Sequence, residues 1–143
     1  MEKRIRASAI CLHNDQILLF EAIDPASGQT YWFLPGGKIE VEEKPWACAE
    51  RETWEETGYL VTARLETEVI KTYEHSWNGS QFLCETYFYR VDLREPWRPV
   101  GKIVDATYHK GAMWMDLPLA LPEFAYCPEI YASVVELVKT TQT

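Results

Sequence analysis

The chain has 143 residues, 47% of them hydrophobic and 25% charged, which suits one globular domain and excludes a disordered, collagen-like or coiled-coil chain. Its 22 acidic residues outnumber the 14 Lys and Arg residues, so the formal net charge is −8. That charge argues against a broad basic surface and therefore against nucleic acid as a partner.

The sequence also bears on location. No stretch approaches the ~18 apolar residues of a membrane span, so we expect no membrane partner. The N-terminal segment has the pattern of strands rather than of a signal peptide. The four cysteines are widely spaced, with no metal-binding pattern: Cys11, Cys48, Cys84 and Cys127. We therefore predict buried free thiols and a cytoplasmic location.

The first third of the chain predicts strands. Apolar runs at 5–12 and 17–22, separated by turn residues, indicate a hairpin. The composition of 24–28 predicts a loop. A short strand at 31–34 is then expected to stop at Pro35-Gly36-Gly37.

A helix and two long strands are predicted next. Residues 45–57 predict a helix, with Pro45 in its first turn and Gly58 just beyond its end. Two long strands are predicted at 60–73 and 80–92, and the second has side chains that alternate well between two faces.

The last part of the chain predicts a loop, a strand and a helix. Residues 93–111 are rich in loop-forming residues, and 112–116 predict a short strand. An amphipathic helix is predicted at 128–139. Strands before and after one central helix indicate a mixed α/β or α+β domain.

The acidic surplus is concentrated at the central helix. Residues 40–56 hold seven carboxylates and two cations, and therefore most of the net negative charge. On a helix, Glu52, Glu55 and Glu56 are neighbours at i, i+3 and i, i+4. Like charges at that spacing cost about 0.2–0.5 kcal/mol per pair, and Arg51 neutralises only part of them. A divalent cation such as Mg²⁺, which prefers carboxylate and phosphate oxygens, would neutralise the rest.

Two interpretations of this helix remain open on the glutamates alone. One is an acidic, solvated helix face beside an ordinary turn, and the other is a metal site. Gly36-Gly37 favours the metal site, because residues without side chains let a backbone carbonyl approach an ion or a ligand approach the chain.

The spacing decides between them, because it resembles the signature of the Nudix hydrolases, G-x5-E-x7-R-E-U-x-E-E-x-G-U, with U bulky and apolar. The fixed positions are all matched: Gly37, Glu43, Arg51, Glu52, Glu55, Glu56 and Gly58. Thr53 departs from the pattern at the first U position, where an aliphatic residue is more usual. The resemblance is specific over 33–59, and we expect it to extend over 4–140.

The resemblance implies a fold and an activity. The implied fold is an α/β/α sandwich around a mixed β-sheet, as a single domain over 1–143. The implied activity is Mg²⁺-dependent hydrolysis of a pyrophosphate bond in a nucleoside diphosphate linked to another moiety, with Mn²⁺ as an alternative metal. The small size and residues 36–40 resemble family members that act on nucleoside triphosphates.

Other substrates and classes stay open. The alternative substrates are nucleotide sugars, ADP-ribose and dinucleoside polyphosphates. A non-catalytic nucleotide sensor is an alternative of another class, and an acidic partner-binding domain is a third. The sequence does not distinguish a monomer from a homodimer.

The resemblance also implies roles for residues. Three carboxylates, which are also expected to be catalytic, and one backbone carbonyl are expected to bind the metal: Glu52, Glu55, Glu56 and Gly37. Glu43 and Arg51 are expected to form a supporting ion pair between the loop and the helix.

The remaining roles are less constrained. The proton acceptor for the attacking water is open among Glu52, Asp105 and His109, with Glu74 a weaker candidate. The candidates for phosphate contacts are cationic: Lys38, Arg6 and Lys71. The candidates for stacking on a base are aromatic, although such residues more often belong to a core: Trp32, Phe82, Tyr87, Tyr89 and Trp77, the last expected in a loop.

Overall fold

The part of the chain that the computed structural model describes, residues 1–100 and 109–140, folds around one mixed β-sheet. Its strands are β1 Glu2–His13, β2 Gln16–Ile23, β3 Thr30–Phe33, β4 Gly36–Lys38, β5 Val61–Ala63, β6 Val69–Trp77, β7 Ser80–Leu93 and β8 His109–Asp116. Its helices are α1 Pro45–Thr57, α2 Leu117–Ala120 and α3 Pro128–Val138, with 3₁₀ turns at Leu65–Thr67 and Leu121–Phe124.

Strand β1 is the centre of the sheet. It forms the predicted hairpin with β2 and runs parallel to β7, while every other pairing is antiparallel. The short strand β4 also pairs with β1, with Arg6 opposite Lys38 and Ser8 opposite Gly36. This pairing places the glycine pair directly beside the cationic part of β1.

Helices α1 and α3 cover opposite faces of the sheet. Alternate residues of β1 point to opposite sides. Ala7 and Ala9 belong to a buried cluster with Cys48 of α1, whereas Ile10 belongs to another with Val134 of α3. Burial of an aliphatic side chain such as that of Ile10 or Val134 stabilises the fold by about 1.5–3 kcal/mol. The predicted α/β class with a mixed sheet is therefore confirmed.

Helix α1 has the predicted boundaries. It begins at Pro45 without a side-chain cap, and it ends where Gly58 takes φ 81° and donates its N–H to the carbonyl oxygen of Trp54. The unusual Thr53 is fully buried, and its hydroxyl donates to the carbonyl oxygen of Ala49 at 2.7 Å. Its polar atom is therefore satisfied within the helix.

Some predicted elements differ from the structure. The glycine pair forms strand β4 instead of a turn, because it pairs with β1. The strand predicted at 60–73 is divided into β5 and β6 by a 3₁₀ turn. Trp77 is the last residue of β6 and packs against the core, so the expectation that it lies in a loop is wrong.

The remaining observations concern cysteines and helix length. All four cysteines are free and buried, as predicted. Within residues 1–100 and 109–140, no helix is both long enough and apolar enough to cross a membrane.

Candidate functional site

Helix α1 lies with two of its glutamates against the glycine strand β4. The N–H of Gly36 donates to Oε1 of Glu56 at 2.8 Å. A Cβ atom added to Gly37 would lie 2.5 Å from Oε2 of Glu52, which is closer than real contacts allow. The glycine at position 37 therefore provides the space that the Glu52 carboxylate occupies.

One guanidinium group holds the acidic residues in place. Arg51 donates through Nε and Nη2 to both carboxylate oxygens of Glu43, at 2.7 and 3.1 Å. Its Nη1 lies 3.0 Å from Oε2 of Glu52 and 3.0 Å from Oε1 of Glu55, and Nη2 also donates to the carbonyl oxygen of Lys38. Arg51 thus connects the preceding loop, the helix and β4, and a planar fork suits such bidentate pairing.

The acidic side chains differ in their electrostatics. Hydrogen bonds from Arg51 hold the pKa of Glu43 below its usual value. Burial raises the pKa of Glu52, and Glu55 adds to this rise. Burial also raises the pKa of Glu56 well above its usual value, with a further contribution from Glu52. Without a cation, burial therefore favours the protonated, neutral forms of Glu52 and Glu56 more than water does.

This donor set fits a hard divalent cation. Its atoms are carboxylate oxygens and the carbonyl oxygen of Gly37, which also accepts from the Cys48 thiol at 3.6 Å. Oxygens of these kinds are the ligands that Mg²⁺ prefers, and a cation there would reverse the pKa shifts. Within residues 1–100 and 109–140, however, no three acidic, His or Cys side chains already converge on one point suitable for a metal. Arg51 lies in contact with both Glu52 and Glu55, so a metal ion would compete with it for these carboxylates.

Beside these residues is a cavity of about 490 Å³. One part of its lining consists of two carboxylates and the glycine strand beside them, and we call it the carboxylate wall: Gly36, Gly37, Glu52 and Glu56. Another part consists of rings in mutual contact, and we call it the aromatic wall: Phe33, His75, Trp77 and Tyr126.

Cations line the same cavity. Lys38, Arg6 and Arg4 contribute to it, and the Arg4 guanidinium carbon lies 3.7 Å from the centroid of the Phe82 ring. Along β1, Arg4 and Arg6 lie between Ser8, which is opposite Gly36, and Glu2, which is opposite Phe82. The cavity therefore combines carboxylates, a row of cations and aromatic rings.

The structure brings many of the predicted site residues to this cavity and leaves others outside it. Those lining it are Gly37, Lys38, Arg6, Glu52, Glu56, Phe82 and Trp77. Glu55 is held by Arg51 beside it. Among the described residues that do not line it are Trp32, Lys71, Glu74, Tyr87 and Tyr89.

Three of these placements have a physical reason. Trp32 packs against the core cluster that contains Ile10 and does not line the cavity, so its role in substrate binding stays a prediction. Tyr87 and Tyr89 pack in or against the cluster beneath α1. Asp105 and the side chain of His109 lie outside the described residues, so their roles stay predictions.

The sequence interpretation missed several lining residues. Arg4 was detectable, because it shares the alternation of β1 with Arg6. Phe33, His75 and Tyr126 gave no local signal, because they come from β3, from β6 and from the segment before α3.

Comparisons with known proteins agree with this geometry. The NUDIX domain family matches residues 2–132. A MutT-like protein from Streptomyces ambofaciens is 35% identical over 81 residues, which are 57% of this chain and 51% of that protein. The match thus spans about half the length of that relative.

Solved structures show the same fold. A NUDIX hydrolase from Nitrosomonas europaea has a TM-score of 0.64 at 22% identity, with 96% of this chain and 90% of that chain covered. An Ap4A hydrolase from C. elegans has a TM-score of 0.67 at 20% identity, with 95% and 96% covered. On the family match, the chain belongs to the NUDIX domain family, as its sequence predicted.

Proposed function

We propose that the chain is a cytoplasmic, Mg²⁺-dependent pyrophosphohydrolase that cleaves a pyrophosphate bond of a nucleoside triphosphate or a related nucleotide. The observation that carries this proposal is the lining of a single cavity by carboxylates, cations and aromatic rings. A nucleotide presents matching groups: phosphates that bind a metal and pair with cations, and a base that stacks on rings. The buried free thiols support a reducing location.

The metal-binding atoms in this proposal are the carboxylates of Glu52 and Glu56 and the carbonyl of Gly37. Glu55 would be a further ligand if its ion pair with Arg51 were open. When bound, Mg²⁺ or Mn²⁺ would neutralise phosphate charge and lower the pKa of a coordinated water. Glu43 is already paired with Arg51, and so its role is to hold the guanidinium and the preceding loop in place.

The side chains around the cavity have separate tasks. Arg6 and Lys38 bind and orient the phosphate groups, because both line the cavity beside the carboxylate wall. Glu52 accepts the proton of the attacking water, since Arg51 contacts only its Oε2 atom, which leaves Oε1 available. Asp105 remains the alternative acceptor. The aromatic wall stacks on the base, an interaction worth about 1–3 kcal/mol per base.

A dinucleoside polyphosphate is the second candidate substrate. Two observations favour it: the fold is shared with an Ap4A hydrolase, and Arg4 extends the row of cations beyond Arg6. A longer phosphate chain would engage all three cations.

The experiment is a substrate panel with Mg²⁺. Release of phosphate or pyrophosphate is measured from nucleoside triphosphates, dinucleoside polyphosphates, ADP-ribose and nucleotide sugars, for the wild type, for Glu56→Gln and for Glu136→Gln. We expect turnover of nucleoside triphosphates and a fall of about 10²–10⁴-fold in kcat for Glu56→Gln, because a site carboxylate is neutralised. Glu136→Gln is the matched control, because Glu136 is an exposed residue of α3.

Two results would contradict the proposal. Nucleotide binding without hydrolysis of any panel member would indicate the non-catalytic sensor instead. Full activity of Glu56→Gln would show that this carboxylate is not needed for catalysis.

A further inference from the structure

The aromatic wall contains one ring that differs in chemistry from the others. The ring of His75 lies 6.0 Å from that of Phe33, 6.3 Å from that of Trp77 and 6.3 Å from that of Tyr126, measured between centroids. The Trp77 ring is nearly parallel to it, with an interplanar angle of 17°. Phe33 offers only a hydrocarbon surface, whereas an imidazole also carries two polar nitrogens.

The state of this imidazole is set by its surroundings. Burial lowers the pKa of His75, and the positive charge of Arg6 lowers it further. The ring is therefore neutral at pH 7, with one nitrogen that donates a hydrogen bond and one that accepts.

The nitrogens of His75 are not used by the fold. The imidazole lines the cavity, and it makes no hydrogen bond to any residue within 1–100 or 109–140. The hydroxyl of Tyr73, another lining residue, is by contrast paired with the hydroxyl of Thr86 at 2.8 Å. A polar group in a binding site favours ligands that form a hydrogen bond with it. It lowers the affinity for ligands that leave it unpaired, and this difference is specificity.

We propose that His75 is a specificity-determining residue, which hydrogen-bonds the polar edge of a nucleobase held in the aromatic wall. The proposal rests on the proposed function, because it assumes a nucleotide in the cavity. Phe33 supplies stacking area to every base alike. His75 distinguishes between bases, since their edges present different donors and acceptors.

The test compares base discrimination in matched variants. The ratio of kcat/KM between the preferred nucleoside triphosphate and the next best one is measured for the wild type, His75→Phe, His75→Asn and Phe33→Leu. We expect His75→Phe to lower this ratio about tenfold, as loss of one hydrogen bond allows, with little change in kcat. We expect His75→Asn to keep a ratio within about threefold of the wild type, because its amide still donates and accepts. Phe33→Leu should raise KM for every nucleotide and leave the ratio unchanged, because it removes only stacking area.

The other outcomes are also informative. An unchanged ratio in His75→Phe overturns the proposal, and so does a wild-type enzyme that does not discriminate between bases. If His75→Phe does not fold, His75→Gln and His75→Leu give the same comparison. Failure of the proposed function is distinguishable, because the wild type would then hydrolyse no nucleoside triphosphate, whichever residue stands at position 75.

Discussion

The two walls of the cavity are built in opposite ways. The carboxylate wall comes from β4 and α1, which are close in sequence. Arg51 connects its Glu52 to Glu43, Glu55 and the Lys38 carbonyl through five hydrogen bonds, and the Gly36 N–H holds its Glu56. The aromatic wall comes from β3, β6 and the segment before α3, and its rings hold one another by packing. The proposed metal-binding residues are thus encoded in one segment, whereas the proposed recognition surface depends on the whole fold.

The walls also differ in charge, which predicts different consequences of mutation. The carboxylate wall carries acidic groups whose burial raises their pKa. The aromatic wall is neutral and offers area and hydrogen-bonding atoms. Changes in the first should reduce kcat, and changes in the second should alter KM and base preference.

A large effect is expected for Gly37→Ala, which tests how tightly the carboxylate wall is built. The added methyl group would lie 2.5 Å from the carboxylate of Glu52 and displace it. A displaced metal-binding group costs activity, and we expect kcat/KM to fall about 10–100-fold. Steady-state kinetics with Mg²⁺ measures this.

The stability of the same variant separates this explanation from misfolding. The clash is with the end of a flexible side chain, so the midpoint of thermal unfolding without metal should remain close to that of the wild type. Wild-type kcat/KM in Gly37→Ala would show that the position of Glu52 is not critical.

A smaller effect is expected for Asp24→Ala, which tests the support of the aromatic wall. Oδ1 of Asp24 accepts hydrogen bonds from the N–H groups of Ala26 at 2.9 Å and Asn78 at 3.0 Å. These bonds connect the loop after β2 to the turn that follows Trp77. Loss of this connection should raise KM about two- to tenfold, the range that one hydrogen bond allows, with kcat nearly unchanged.

Asp24→Asn is the matched control. Its amide oxygen can still accept both hydrogen bonds, so we expect KM near the wild-type value. Equal KM values for Asp24→Ala and the wild type would mean that the aromatic wall does not need this support.

The sequence predicted the carboxylate wall better than the aromatic wall for physical reasons. Helix periodicity alone places Glu52 beside Glu56, and Pro45 and Gly58 mark the helix ends, so local geometry was sufficient. The pairing of β4 was missed, because glycine normally weakens a strand. Here Gly36 and Gly37 are required by the close approach of Ser8 and Glu52.

The aromatic wall could not be predicted from the sequence. Phe33 and Tyr126 meet with centroids 5.8 Å apart only because β3 and the segment before α3 pack together. Adjacent residues of a strand point to opposite faces, so Phe33 lines the cavity while its neighbour Trp32, the residue that the sequence suggested, does not. Tertiary packing determines which aromatic side chain faces the cavity, and no local sequence pattern predicts it.

The most direct test of the central claim is the Mg²⁺ dependence of nucleotide binding. The Kd of a non-hydrolysable nucleoside triphosphate analogue is measured by calorimetry, with and without Mg²⁺, for the wild type and for Glu56→Gln. We predict that Mg²⁺ tightens binding to the wild type by about tenfold or more. Its effect on Glu56→Gln should be much smaller, because Glu56 is a proposed ligand of the metal ion to which the phosphates also bind. An equal effect of Mg²⁺ on both proteins, or none on either, would contradict a metal site in the carboxylate wall.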